Sequence, residues 1–314
     1  MLKAFLLVVV GLAGDPEHGK TFHKWGTTLA ASSARLGIAP ERVIYLVDQP
    51  AEGDTNVSGR ATREEITKAL ESFAKQAGPD DTVFITLIGH GSFDGRSAKF
   101  NLPGPDLAAA DFKALIQKLP TRQVVFVNTS SASGPFVEEL SGPGRTIVTA
   151  TRNGAETYAT LFGGFFIDAL TTDAADADKN RRISVLEAFQ FARTEVARAY
   201  EKEGLLSTEH ALLDDDGDKE GSQEPSTTGK DVKNKDGKVA AIVSFGMAGD
   251  DGLPADPKVR ALHLERRELE RRVESLRLLK DSMPPARYTS ELESIVTAIA
   301  LKTREIRAAE AQKP

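Results

Sequence analysis

No cysteine occurs anywhere in the 314 residues. That excludes disulfide bonds, thiolate metal sites and a thiol nucleophile. It assigns no compartment, because extracytoplasmic proteins also do without disulfides. Positive charge is not in excess either: 40 Lys and Arg stand against 46 Asp and Glu, a formal net charge of −6, which argues against general nucleic-acid binding. No apolar run is long enough to span a membrane. What remains is ordinary for a globular chain, 40% hydrophobic and 27% charged. The length suits one large domain with an appendage, or two domains. There is no internal repeat.

Two apolar runs, each ending in small polar residues, organise the chain. The first runs from Thr82 to Ile88 and continues Gly89-His90-Gly91-Ser92. The second runs from Gln123 to Val127 and continues Asn128-Thr129-Ser130-Ser131-Ala132-Ser133-Gly134. Both are rich in β-branched and aromatic residues and have the length of a buried strand. A helical pattern from Asp106 to Leu119 separates them. Strand, helix and strand make a βαβ unit, so the two strands are expected to be parallel neighbours. Their C-terminal ends then lie side by side, where open α/β sheets place their sites. One end offers His90-Gly91, the other Ser131.

His90-Gly91 after one strand and Ser133-Gly134 after the next resemble the caspase-type cysteine peptidases, most closely the legumain (C13-type) branch. The resemblance covers roughly Lys3 to Tyr200. It implies a caspase-like three-layer α/β/α sandwich with a mostly parallel central sheet. It also implies roles: His90 as the catalytic histidine, the nucleophile at position 131, and backbone N–H groups near Gly91 holding the oxyanion. The family has cysteine where this chain has Ser131. A hydroxyl is far less acidic than a thiol and needs a base within hydrogen-bond reach. Asp48, Asp94 and Asn128 are candidates to orient His90, by proximity to strand ends alone.

Earlier in the chain, Leu6 to Val10 reads as a central strand. Met1 to Val10 resembles the start of a signal peptide, yet it passes directly into Gly11 to Asp15 with no small-x-small cleavage context. The strand reading is preferred, and a leader removed ahead of it stays open. Gly19-Lys20-Thr21 is not a P-loop, since Gly14 is one residue too near. A helix is expected from Thr21 to Leu36, a strand from Arg42 to Val47, and a helix opened by Thr62 with a capping-box look. Ser92 to Gly95 reads as a turn and Phe100 to Gly104 as a short edge strand. Arg145 to Ala150 is a further strand. The segment after it, Thr151 to Ala159, resembles one that contributes to the legumain substrate pocket. On that resemblance Glu156, with Ser133 and Gly134, would bind substrate, and Glu156 would favour Asn, Arg or Lys over Asp. The plainer reading makes Glu156 a surface acid at a helix N-terminus.

From Phe162 to Leu170 the pattern is an apolar helix. Asp176, Asp178, Asn180, Arg182 through its backbone carbonyl, Ser184 and Glu187 then follow at the spacing of an EF-hand-like calcium loop, with Ile183 at its apolar position. Arg181 stands where that pattern wants glycine. Calcium is the one cofactor expected; the alternative is a solvated acidic loop capping a helix from Ser184 to Glu201. Asp214, Asp216 and Asp218 alternate as metal loops do, but no glutamate follows at the twelfth position. Lys219 to Lys238 lacks periodicity and reads as a flexible loop, and Val239 to Phe245 as the last strand. The expected domains are 1–246, carrying acidic loops at 173–187 and 214–237, a linker at 247–257, and an antiparallel helical hairpin at 258–312. The hairpin's apolar face must cover the main domain, a second copy or a partner.

Three functional readings follow. The first is a pseudopeptidase that binds a peptide or protein partner in an intact cleft. The second is a cysteine endopeptidase whose nucleophile is replaced by serine at position 131. The third is a natural hydrolase using Ser131 and His90. A fourth makes the two motifs coincidental, with Ser131 a helix N-cap.

Overall fold

The computed structural model describes residues 3–50, 56–180, 182–227, 236–245, 254, 256–278, 280 and 283–311. The chain divides into two compact units, 1–246 and 247–314. Met1, Leu2, Arg181, most of the expected linker and the middle of the 219–238 loop lie outside the described residues.

The first unit is built on β1 (Ala4–Val10), in which six consecutive residues are buried. Alternation sends Leu6, Val8 and Val10 into one core and Phe5, Leu7 and Val9 into another, so the strand is covered on both faces. Helix α1 (Pro16–Ala31) follows. It begins earlier than the expected Thr21, because Asp15 caps the Glu17 and His18 amides and Pro16 suits the first helical turn. Next come β2 (Val43–Val47), β3 (Gly59–Arg60) and α2 (Arg63–Gln76), whose N-cap is Thr62. Strand β4 (Thr82–Ile88) leads into a small antiparallel sheet of β5 (Gly91–Phe93), β6 (Ala98–Phe100) and β7 (Leu107–Ala108). Then follow α3 (Ala109–Ile116), β8 (Gln123–Asn128), α4 (Phe136–Leu140) and β9 (Arg145–Thr149). Helix α5 (Phe162–Thr171), β10 (Ile183–Ser184), α6 (Val185–Glu203) and β11 (Leu212–Asp214) continue the chain. Helix α7 (Lys238–Ile242) and β12 (Ser244–Phe245) close the unit.

The main sheet has the order β11-β9-β8-β4-β1-β2-β3. All its pairings are parallel except that of β11 with β9. Helices α1, α5 and α6 place Phe22, Phe166 and Phe189 in the core on one face. Helices α2, α3 and α4 place Phe73, Phe112 and Phe136 in the core on the other. The result is the caspase-like α/β/α sandwich, with β4 central and β8 beside it.

Three local readings need correction. Gly91 to Phe93 is a strand rather than the start of a turn, and its partner is Ala98–Phe100, two residues earlier than expected. Val239 to Phe245 is mostly helix. The Asp215 carboxylate accepts the Gly237 and Ala240 amides at 3.0 and 2.7 Å and so caps a helical turn, which overrides the strand propensity of the run. Only Ser244 and Phe245 remain extended, paired with Ser184 and Ile183. A further buried acid acts similarly: Glu209 accepts the Leu161 and Phe162 amides at 2.8 and 3.0 Å, at the N-terminus of α5. Burial pushes the Glu209 carboxyl upward, and the two amide donors oppose that rise.

The second unit is α8 (Pro257–Leu278) and α9 (Pro285–Ala311). His263 meets Glu310 and Lys302 meets Glu265, so the helices run antiparallel. The first helix ends at Leu278, and Pro285 opens the second. Val273, Leu276 and Ile295 are buried between the helices, with Leu269, Tyr288, Leu292 and Ile299 packed around them. Much of the apolar face expected to need an external partner is therefore covered by the hairpin's own pairing.

Candidate active site

His90 and Ser131 come from adjacent parallel strands, β4 and β8, paired in register from Thr82 with Gln123 to Leu87 with Asn128. Each follows its strand's C-terminal end by two or three residues, so the register brings the two motifs together.

His90 is held by its Nε2, which lies 2.9 Å from the Ala13 carbonyl oxygen. A carbonyl only accepts, so Nε2 carries the proton and the neutral ring keeps its lone pair on Nδ1. The edge contacts are aromatic: Phe22 at 5.2 Å and His18 at 5.1 Å between ring centroids, both T-shaped. Burial holds the His90 pKa below its ordinary value, and His18 adds to that; Ala13 and Asp15 act the other way. His18 is itself fixed by Asp15, Nδ1 to Oδ2 at 2.5 Å. The imidazole is thus oriented, its neutral form favoured by burial, and able to accept a proton at Nδ1.

The group that orients His90 is a backbone carbonyl, which has no signature in a sequence. Each carboxylate or amide considered for that role is engaged elsewhere. Asp48 pairs with His23 at 2.7 Å. Asp94 accepts the Arg96 and Ser97 amides within its turn. Asn128 Oδ1 accepts the Ser130 amide and hydroxyl, and its Nδ2 is buried with no hydrogen-bond partner among the described residues.

Ser131 is 2% exposed. Its hydroxyl donates to the Gly91 carbonyl and accepts the Gly91 amide, both at 3.2 Å. Its proton is therefore directed at a backbone oxygen, and no hydrogen bond joins it to His90. The Gly91 N–H, expected at the oxyanion, is the same group that donates to Ser131. The next amide, Ala132, donates to the Glu156 carbonyl at 2.7 Å, and Ala132 holds a positive φ of 51°. Gly91 has no room for a side chain: a Cβ there would lie 2.4 Å from the Ser131 carbonyl oxygen.

Ser133 and Gly134 tie two strand ends together. Ser133 is fully buried, 3.1 Å from the Thr151 hydroxyl, and the Gly134 amide donates to the same hydroxyl at 3.0 Å. A Cβ on Gly134 would lie 2.3 Å from the backbone of Arg152 and Asn153, so only glycine permits that approach.

Glu156 is not the exposed acid of the plainer reading. Its Oε2 accepts the Arg152 and His210 amides, both at 3.1 Å. Its Oε1 meets Arg152 Nε at 3.0 Å and His210 Nδ1 at 2.7 Å. Four donors fill the acceptor positions of one carboxylate, which leaves little for a substrate side chain. The contribution of His210, 54 residues further on, was not visible in the sequence.

In the 176–187 loop, carboxylate oxygens of Asp176, Asp178 and Glu187 lie within 4.8 Å of one another. The Asn180 amide donates to both Asp176 and Asp178, and the Arg182 amide to Asn180 Oδ1 at 2.8 Å. Ser184 and Glu187 form a capping box, and Glu187 Oε1 accepts the Ala177 amide at 3.1 Å. The positive φ falls at Lys179, 59°. The loop joins α5 to α6, and α6 starts at Val185, the tenth loop position.

Residues 63–213 match the Peptidase C13 family. Among solved structures, the chain is similar to the crystal structure of a structural-genomics target protein from Geobacter sulfurreducens. The two are 15% identical over 68% of this chain and 92% of that one, with a TM-score of 0.43. No curated protein matches. The matched segment runs from α2 through β11 and contains His90, Ser131 and Glu156; Ala13, His18 and Phe22 precede it. Within its α/β sandwich, the segment 63–213 is similar to the peptidase C13 family.

Proposed function

We propose that this chain is a peptidase-fold protein that binds a peptide or protein segment at the His90–Ser131 site without cutting it. The observation that carries this reading is the Ser131 hydroxyl, closed onto both backbone groups of Gly91 with no hydrogen bond to His90. A hydroxyl without a base at its proton is a poor nucleophile. A second reading, a cysteine endopeptidase with serine in the nucleophile position, is favoured by the state of His90, which is anchored at Nε2 and held neutral. A thiol needs less help from its base than a hydroxyl. One experiment addresses both: peptide cleavage and peptide retention by the chain and by Ser131→Cys, on the same fluorogenic library. Cleavage by the serine form at the rate of the cysteine form would sink the proposal and leave the serine-hydrolase reading.

We further propose calcium as a structural ion of the 176–187 loop, held by Asp176, Asp178, Asn180, the Arg182 carbonyl, Ser184 and Glu187. Calcium favours such a set of six or more hard oxygens from one short turn. Calorimetry should show a calcium-binding heat that Asp176→Ala combined with Glu187→Ala removes. Equal heats in both proteins would eliminate this ion.

Self-association through 258–312 is the remaining partner proposal, supported by the exposed Leu264, Val296 and Leu301. Sedimentation velocity over a hundredfold range of concentration tests it: a rising sedimentation coefficient is expected, and a constant monomer value removes the proposal.

A further inference from the structure

A second acidic cluster lies outside both sites described so far. Strand β11 ends at Asp214, and the chain then leaves the sheet and returns at Asp236, just before α7. Carboxylate oxygens of Asp214, Asp216 and Asp236 lie within 4.8 Å of one another. Asp214 is 0% exposed and Asp236 is 4% exposed, while Asp216 reaches solvent. Asp218, which the sequence pattern groups with Asp214 and Asp216, instead accepts the Glu220 amide in its own turn.

The cluster is more than a crowd of surface acids. Asp214 Oδ1 accepts the Gly217 amide at 3.2 Å, but Asp214 Oδ2 is buried and makes no hydrogen bond among the described residues. Among the described residues, no lysine, arginine or histidine forms an ion pair with Asp214 or Asp216. A buried carboxylate oxygen with neither donor nor cation is costly and rare in folded proteins. The Asp215 carboxylate points away, to the cap of α7, while its amide donates to Asp236 Oδ1 at 3.0 Å and orients that ligand.

We infer that Asp214, Asp216 and Asp236 bind a hard divalent cation, calcium or magnesium, at the base of the 215–236 excursion. All three donors are carboxylate oxygens, the set such ions prefer over softer metals. The exposed Asp216 leaves an entry path and room for water in the remaining positions. The cation supplies the positive charge that Asp214 Oδ2 lacks. It also ties both ends of the excursion to the edge strand of the main sheet. This inference is independent of whether the His90–Ser131 site cuts or binds.

The test is calorimetric titration of the full chain, stripped with chelator, with calcium chloride and separately with magnesium chloride. Asp176→Ala with Glu187→Ala isolates the present site from the 176–187 loop. That double variant is expected to retain one bound cation, and further substitution Asp216→Asn to weaken it at least tenfold. Asp216 is exposed, so its substitution leaves the fold intact. Asp214→Asn with Asp236→Asn, in the same background, should abolish binding, while folding in chelator is preserved because like charges are removed. The inference is overturned if the folded loop variant takes up neither ion at millimolar concentration. It is overturned equally if the Asp214→Asn, Asp236→Asn protein binds as tightly as its parent.

Discussion

Ser131→Cys is expected to convert a chain that holds peptides into one that cleaves them, and adding His90→Ala should remove that cleavage by about 10²–10⁴-fold, the usual contribution of a positioned general base. The geometry gives the reason. His90 is oriented by Ala13, and burial favours its neutral form, so its Nδ1 can act as a base. What is missing is a nucleophile whose reactivity does not depend on full proton transfer to that base, and a thiol meets this condition. The pH profile provides a second readout. The base acts when neutral, and the neutral fraction rises with pH. Because burial and His18 lower the His90 pKa, the acid limb of the cysteine variant should have its midpoint below about 6.5, the ordinary histidine value. His18→Ala should move that midpoint upward. Stopped assays over pH 4 to 8 on the same library would read both. If neither form cleaves and neither retains peptide, the site has no peptide function.

Phe126→Ala should be the most damaging single truncation near the site. Phe126 lies on β8, five residues before Ser131, and is 0% exposed. Its ring sits 5.3 Å from Phe112 of α3 and 6.0 Å from Phe136 of α4, so it joins the sheet to two helices. Removing it leaves a cavity among three elements that cannot all collapse inward, at a cost of about 3–5 kcal/mol. Against a typical total of about 5–15 kcal/mol, that is a large fraction. For a unit of this size it corresponds to a fall in Tm of roughly 6–20 °C. Thermal unfolding followed by circular dichroism checks it. A fall under about 2 °C, less than the smallest effect the cavity argument allows, would show that the cluster does not hold β8 in place.

The arrangement of the central strands was legible because it is periodic and local. Continuous apolar runs marked β1, β4 and β8 as strands covered on both faces, and the helix between β4 and β8 made them parallel neighbours. The motifs at their ends therefore had to converge, whatever the rest of the chain did. The capping signal at Thr62 was equally local and equally readable. The apolar stripes of α8 and α9 showed the hairpin, though not that these stripes would cover each other.

The sequence by itself determined the α/β architecture, the juxtaposition of the His90 and Ser131 segments, the absence of a thiol and the spacing of the 176–187 loop. Each follows from residue type and short-range period. Only the tertiary structure decided what those residues touch. Ala13 orients His90 through a carbonyl that every residue possesses, and Gly91 occupies the Ser131 hydroxyl through the backbone alone. His210 fills Glu156 from 54 positions away, and Asp236 replaces Asp218 beside Asp214 across a long excursion. The helix at Lys238–Ile242 forms because Asp215 caps it, against the β propensity of its own residues. In each case the deciding partner is either backbone, which carries no sequence signal, or a side chain whose distance along the chain says nothing about its distance in space.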